Sequence, residues 1–452
     1  MPSTITDVFK KQLLRSLVVD IDSASSNYYM GIGRSQDWDS ADNVVTPVNS
    51  IRDIRNFQSS MQSIKAVGDY SYVIPRYNWT SGSLYQGFDD NQTGHPDNSF
   101  YVITDANSVY LCLRQGRTVT GAPVVSTVKP TGALTTPFIT ADGYVWKFLY
   151  TLSALTASKY LAANFMPVKF QDTLDSASPA SDVEQKNIQD AALPGQIGTV
   201  AVIDGGSGYS GAPTVQIVGD GSGASADAFI DGGVVTKIEI RDSAGSYAMG
   251  SGYSYADIVF SGGGGVGANA RAVIGPASGF GADPRDDLKS IGIMFNTKPA
   301  GEEGGDFIIG NDFRQVALIR NPKKNQLEDS DFTNITGNAL DRMNFASITT
   351  PFTPDNTLLG SSSQAKAFVD KISGNSVYYH QTEETGYTSF EAGELVSEID
   401  GSGSGTLDTP AGTAFTASDV DPFSGDVLLI NNSAAIARSV EQTEDLKIVI
   451  QI

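Results

Sequence analysis

Apolar and polar positions alternate with two periods along this chain, and the period changes near residue 70. Before it, the period is helical. Ile5, Phe9, Leu13 and Leu17 recur every four residues with Lys10, Lys11 and Arg15 between them, which predicts an amphipathic helix over 4–19 capped by Ser3 or Thr4. A strand is expected at 27–32. Pro47 then precedes Ile51, Ile54, Phe57, Met61 and Ile64 at helical spacing, so 46–67 reads as a second helix. From 70 onward the period is two. "YSYVIPRYNW" (70–79) and "DGYVWKFLYTL" (142–152) read as strands, and "SFYVITDANSVYLCLRQ" (99–115) reads as a hairpin turning at Asp105–Ser108. "SASPASDVEQKNIQDAALPG" (176–195) is polar and reads as a connector.

An internal repeat follows. "VAVIDGGSGYSGAPTVQIVGDGSGASADAFID" (200–231) and "IEIRDSAGSYAMGSGYSYADIVFSGGGGVGANARAVIG" (238–275) run through the same steps. Each goes strand, Gly-Ser-Gly-Tyr turn, strand, glycine-rich loop, alanine-rich strand. Two such copies predict a small all-β module, a sandwich or short solenoid. Strands are expected again at 312–322 and, as a hairpin about Ser373-Gly374-Asn375, at 365–381. The last residues place Leu446, Ile448, Ile450 and Ile452 on one face, which predicts a central strand over 445–452.

The resulting fold class is α+β, predominantly β: a multi-domain core of antiparallel sheets with a few helices and two all-β insertions. The expected divisions are a first core part (1–195), the glycine-rich repeat insertion (196–278), a second core part (279–360), a small β insertion (361–425) and a core C-terminal strand (426–452).

Composition narrows the function. The 452 residues carry 40% hydrophobic and 18% charged side chains, enough apolar material for real cores. With 30 Lys and Arg against 51 Asp and Glu, the net charge of −21 repels phosphate backbones and anionic membranes. No nucleic-acid or membrane partner is therefore expected, and no small-molecule substrate is expected either. Cys112, the single cysteine, sits in an alternating strand pattern and reads as a packed thiol; with two histidines, a common zinc site would need carboxylate help. The N-terminus lacks a continuous apolar signal region, so the expectation is synthesis and assembly in a cytoplasm.

Catalytic and cofactor motifs fail on inspection. "YYMGIGRSQDWD" (28–39) begins like a phosphate loop, but Gln36 stands where a third glycine belongs and no helix pattern follows. "GSGYSG" (206–211) completes G-x-G-x-x-G, yet "APTVQIVG" after it is a strand with Pro213, so turn glycines are the plainer reading. Asp204, Asp220 and Asp227 beside glycine turns are the calcium candidates, without EF-hand spacing. Glu302-Glu303 and Glu383-Glu384 read as solvated acids. Trp38, Trp79 and Trp146 read as core packing or, alternatively, as interface anchors. No enzyme activity, cofactor or metal is expected.

Six stretches taken together resemble one family. They are "IGRSQDW" (32–38), "YVIPRYNW" (72–79), "DGYVWKFLY" (142–150), "AALPG" (191–195), "FRQVALIRNP" (313–322) and "EQTEDLKIVI" (441–450). In this order they resemble the baseplate wedge subunit (gene product eight) family of T-even-type contractile-tailed bacteriophages. The resemblance implies a non-enzymatic virion component of the tail baseplate, associating as a homodimer. It also implies contact with other baseplate wedge subunits and rearrangement when the tail contracts. Gly31, Gly33, Arg34, Trp38, Pro75, Arg76, Trp79, Gly143, Tyr144, Trp146, Arg314, Gln442 and Glu444 match its motifs and are expected to be fold or interface determinants. The two insertions are departures from the family pattern. A tail-associated adhesin or carbohydrate-binding protein is the alternative, with Tyr209, Tyr253 and Tyr255 lining a sugar site if they are exposed.

Overall fold

The computed structural model describes residues 4–39, 43–95, 99–325 and 327–452, without the side chains of 327–329. It is predominantly β, with mostly antiparallel sheets, barrel-like closures and a few helices. The chain divides into two compact units, residues 1–14 with 71–294 and 449–452, and residues 15–70 with 295–448.

In the first unit, a four-stranded sheet runs in the order Tyr101–Ile103, Ser108–Arg114, Val145–Thr151 and Phe138–Ile139. The expected hairpin is there, and Asn107 supplies the left-handed turn residue with φ 58°. The polar stretch expected to be a connector is instead a helix, Ala180–Asp190. It packs on the Val145–Thr151 strand and buries Gln185, Ile188 and Gln189. Two of those three are amides, so the buried face carries no apolar period. Their polar groups are answered by backbone: Gln185 Nε2 donates to Lys169 O at 2.6 Å and Gln189 Nε2 to Gln171 O at 3.0 Å.

The repeat forms a six-stranded barrel rather than a sandwich or solenoid. Its order is Val234–Ile240, Ala226–Asp231, Thr214–Gly219, Ala256–Ser261, Val266–Ile274, Ile197–Ser207. The ends meet where Ile197–Ser207 lies against Val234–Ile240 and Tyr209 N donates to Gly233 O at 3.0 Å. Each copy contributes three barrel strands, and the two middle strands pair from Thr214↔Ser261 to Gly219↔Ala256.

The copies clamp each other. Tyr209 of the first turn is buried against Gly263 and Gly265 of the second copy, and Tyr253 is buried against Gly219 and Gly221 of the first. A Cβ on Gly265 would stand 2.5 Å from Tyr209 Cγ, and one on Gly221 2.5 Å from Tyr253 Cγ. The glycine loops are flat so that a ring can lie on them. Within the turns, Gly206, Gly208, Gly250 and Gly252 all have positive φ, as turn residues should.

In the second unit, a five-stranded sheet runs Thr336–Asn338, Met61–Ala66, Tyr28–Gly33, Asp312–Arg320, Asp426–Ala437. The expected helix over 46–67 is therefore only partly helical. It spans Ile51–Ser59, capped by Ser50 Oγ on Asp53 N, and Met61–Ala66 is a strand paired with Tyr28–Gly33. Of the five apolar positions at helical spacing, Ile51 is exposed, Ile54 half-buried and Phe57 buried on the helix, while Met61 and Ile64 are buried by the sheet, because a short apolar run fits either period.

A second barrel closes in the order Ser376–His380, Lys366–Ser373, Thr357–Gly360, Leu395–Glu398, Ser404–Leu407, Asp341–Thr350, and back to Ser376–His380. Its core is Met343, Phe345, Leu358, Val369, Val377, Val396 and Leu407. The hairpin turn falls at Gly374, φ 59°. Asp341–Thr350 is one of its strands and precedes residue 361, where the insertion was expected to begin.

Two terminal expectations change. Leu446–Gln451 is the edge strand of a four-stranded sheet, not a central one. Ile448 is buried, while Leu446 and Ile450 are half-covered, which is what one paired side provides. The first helix spans Asp7–Ile21 and begins at Thr6, whose Oγ1 accepts from Phe9 N at 3.4 Å; Ser3 lies outside the described residues. Of its expected apolar face, Ile5, Phe9 and Leu13 are exposed and Leu17 is half-buried; Val8 and Val19 are exposed too, and in the helix only Leu14 is buried.

The mutual clamp gives a paired prediction. Tyr209→Ala and Tyr253→Ala should each cost about 3–5 kcal/mol in denaturant unfolding of the unit that holds the barrel. Tyr255→Ala, at an exposed position, should stay within about 0.5 kcal/mol of wild type.

Candidate functional site

The motif residues gather at three places. The first is built on the Tyr28–Gly33 strand, buried throughout between its two neighbours. At Gly33 the chain passes so close to the next strand that a Cβ would stand 2.6 Å from Ser60 O and 2.9 Å from Met61 Cα. The register shifts there, and Arg34 leaves the sheet with φ 61°. Arg34 N donates to Ser60 O at 2.9 Å. The Arg34 guanidinium lies over the Trp38 ring at 4.2 Å and donates to Asp37 O at 2.9 Å. Trp38 Nε1 donates at 2.8 Å to Ser433 O, where the Asp312–Arg320 and Asp426–Ala437 ladder shifts register.

Arg314 holds this loop from below. It is 4% exposed and donates to Ser35 O, to the Asp37 carboxylate and, at 2.7 Å, to Asp312 Oδ1. Gln36 is held too: its Oε1 lies 3.1 Å from His380 Nε2. His380 Nδ1 lies 2.5 Å from Asp370 Oδ2, and Gln62 Nε2 donates to Asp370 Oδ1 at 3.4 Å. Asp370 falls at the register shift between Val369 and Lys371, and its buried carboxylate meets the imidazole. The sequence carries no mark of this pair.

Beside the loop is an open cleft of about 390 Å³ whose charged walls are Arg34, Asp37, Arg52, Glu383 and Glu384. Asp37 is paired with Arg314, and Glu383 with Arg52 at 3.0 Å. No nucleophile with an adjacent base stands among its lining residues.

The second place is in the first unit. Tyr144 stacks on Trp146 with ring centroids 5.6 Å apart, and Tyr85 meets both edge-on. Tyr144 Oη donates to Val124 O at 2.7 Å and accepts from Tyr85 N at 3.2 Å. Cys112 is buried in the same cluster, and burial pushes its thiol well above the usual range. Trp79 Nε1 donates to Ser126 Oγ at 3.1 Å. Pro75 O accepts from Tyr101 Oη at 2.8 Å, and Arg76 donates to Asn78 Oδ1 and Ala162 O, each at 2.9 Å.

The third is a buried ion pair. Arg438 Nε and Nη2 reach Glu444 Oε2 at 3.0 and 2.9 Å, and the same guanidinium donates to Ile308 O and Gly301 O. Gln442 Nε2 donates to Ala437 O at 3.0 Å. Arg438 was not singled out in the sequence, although it stands six residues before its partner.

The other candidates resolve into turn chemistry. Tyr209 and Tyr253 are buried, so of the three tyrosines only Tyr255 meets the condition for a sugar platform. Asp204 Oδ1 accepts from Gly206 N, Asp220 caps Ser254, and Asp227 pairs with Arg241 at 2.7 Å. No group of three or more metal-ligating side chains occurs among the described residues. Glu302 pairs with Lys371 at 3.1 Å and Glu303 with Lys65 at 2.5 Å. No described helix is long and apolar enough to cross a membrane. No protein-family model and no curated protein matches the chain.

Two buried charges remain in the first unit. Burial pushes the Asp287 carboxyl well above its ordinary value, with only Gly281 N donating to it, at 2.9 Å. Burial pulls the Lys147 ammonium down to about 8.

Two outcomes follow from these environments. Arg314→Met should cost about 3–5 kcal/mol, and Arg314→Lys should recover only part of it, because one ammonium cannot serve three separated acceptors. Denaturant unfolding of the second unit reads both. For Asp287, a raised folded pKa means its stability contribution is full below the ordinary value of 3.8 and is lost as pH rises toward the folded value. Asp287→Asn should therefore melt higher than wild type at pH 7, with the gap closing as pH falls to about 4.

Proposed function

We propose that this chain is a non-enzymatic structural subunit of a contractile-tail baseplate wedge. In this reading it acts as a homodimer that joins neighbouring wedge subunits and moves with the baseplate when the tail contracts. The first helix carries the reading furthest. Ile5, Val8, Phe9 and Leu13 form an exposed apolar stripe at i, i+3, i+4 and i+8, on a chain otherwise rich in surface acid. A stripe of this kind is a surface for another protein. The motif residues support the same reading from the inside. Arg34, Trp38, Arg76, Tyr144, Trp146, Arg314, Gln442 and Glu444 are committed to a backbone carbonyl, an ion pair or a ring stack, which suits framework parts rather than a reaction centre.

The test is co-sedimentation with the other wedge subunits of the same baseplate. Wild type should join the complex. Val8→Asp with Phe9→Asp should keep the unfolding midpoint of wild type and bind at least tenfold more weakly. A wild-type chain that stays free at every mixing ratio would remove the reading, as would a double variant that assembles normally.

A further inference from the structure

In the first unit, a cleft of about 410 Å³ lies where the repeat barrel meets the end of the Ser108–Arg114 strand and the loop around residues 86–92. That volume is within the range of small-molecule sites, roughly 300–1,000 Å³. Its charges are largely settled among themselves. Lys237 Nζ stands 2.9 Å from Glu239 and Arg114 3.7 Å from the same carboxylate, while Asp89 is paired with Arg271 at 2.7 Å. Arg117 at the exposed end donates to Gly121 O at 2.7 Å.

Apart from Arg117 at the rim, what the walls still offer is neutral. Gln86 Nε2 donates to Gln92 Oε1 at 2.7 Å, which turns Gln86 Oε1 into a spare acceptor and Gln92 Nε2 into a spare donor. Gln115 Nε2 donates to Tyr85 O at 2.9 Å, leaving Oε1 to accept. The Thr199 hydroxyl can do either. Half-buried Ala201 and Val202 give the same cleft its apolar surface, backed by Val200, Ile238 and Val273 in the core.

These features select the ligand. An apolar molecule would strand the amides without partners, which is costly. A free anion would find one lining cation without a carboxylate partner, Arg117, and that guanidinium is exposed at the rim and already donates to Gly121 O. A sugar ring matches both parts: its hydroxyls donate and accept in pairs, and its C–H face lies on apolar carbon. We propose that this cleft binds a neutral saccharide, one or two rings presented by a larger glycan. The buried Tyr209 and Tyr253 take no part in it. The inference rests on the cleft alone, so a chain that joins a wedge yet binds no sugar fails only here.

Saturation-transfer NMR on the full chain, with common neutral hexoses, N-acetylhexosamines and their disaccharides, tests it. Inorganic phosphate serves as the anion control. At least one sugar should give a saturable signal that phosphate does not displace. Gln92→Leu and Gln115→Leu should each weaken it at least tenfold while keeping the wild-type unfolding midpoint. Gln115→Leu also frees Tyr85 O; should that variant unfold, Gln92→Leu alone decides. The proposal is overturned if no sugar in the panel gives a signal, if the signal survives Gln92→Leu, or if phosphate competes it away.

Discussion

The second unit turns on one close approach of backbone to backbone. At Gly33 the opening strand runs within 2.6 Å, measured from an added Cβ, of Ser60 O. Any side chain there would push apart the strands Tyr28–Gly33 and Met61–Ala66 and shift the sheet register. The same approach launches Arg34 into the left-handed region, and that directs the loop back over the sheet. Arg314, from the strand on the other side, then gathers Ser35, Asp37 and Asp312. A contact of zero side-chain size and a guanidinium with three acceptors define one loop geometry. They do so with residues that look, in the linear sequence, like the start of a phosphate cradle.

The repeat barrel solves a different problem with the same residue type. Each copy contributes three strands, but Ile197–Ser207 of the first lies between two strands of the second, so neither copy can close an inner face alone. The exchange of Tyr209 and Tyr253 onto the partner copy's glycine loops makes closure depend on both copies at once. Glycine here supplies flat surface for a ring as well as turn freedom. That explains a glycine-rich composition without invoking nucleotide chemistry.

Local signals made much of this legible in the sequence. The opening strand, the hairpins at Asn107 and Gly374, and the positive-φ glycines each depend on a few adjacent residues. Three things were not legible. The Ala180–Asp190 helix buries amides, so hydropathy gives it no period. The Ile51–Ser59 helix yields to a strand because pairing with the opening strand outweighs helical spacing at Met61 and Ile64. The polar partners of the motif residues are distant: Arg314 meets Asp37 across 277 residues, and His380 meets Gln36 across 344. Spacing along a chain says nothing about such pairs. The motif residues were therefore visible as a set, while their roles as clamp, stack and buried pair required the fold.

The functional account joins a committed interior to an uncommitted surface, the stripe on the first helix. Its most direct test is a reconstruction of an intact contractile tail assembled with this protein. The account predicts the chain in the baseplate, with the face bearing Val8, Phe9 and Leu13 covered by a neighbouring subunit. Tails that assemble fully without the chain, or a map in which that face stands in solvent, would contradict it.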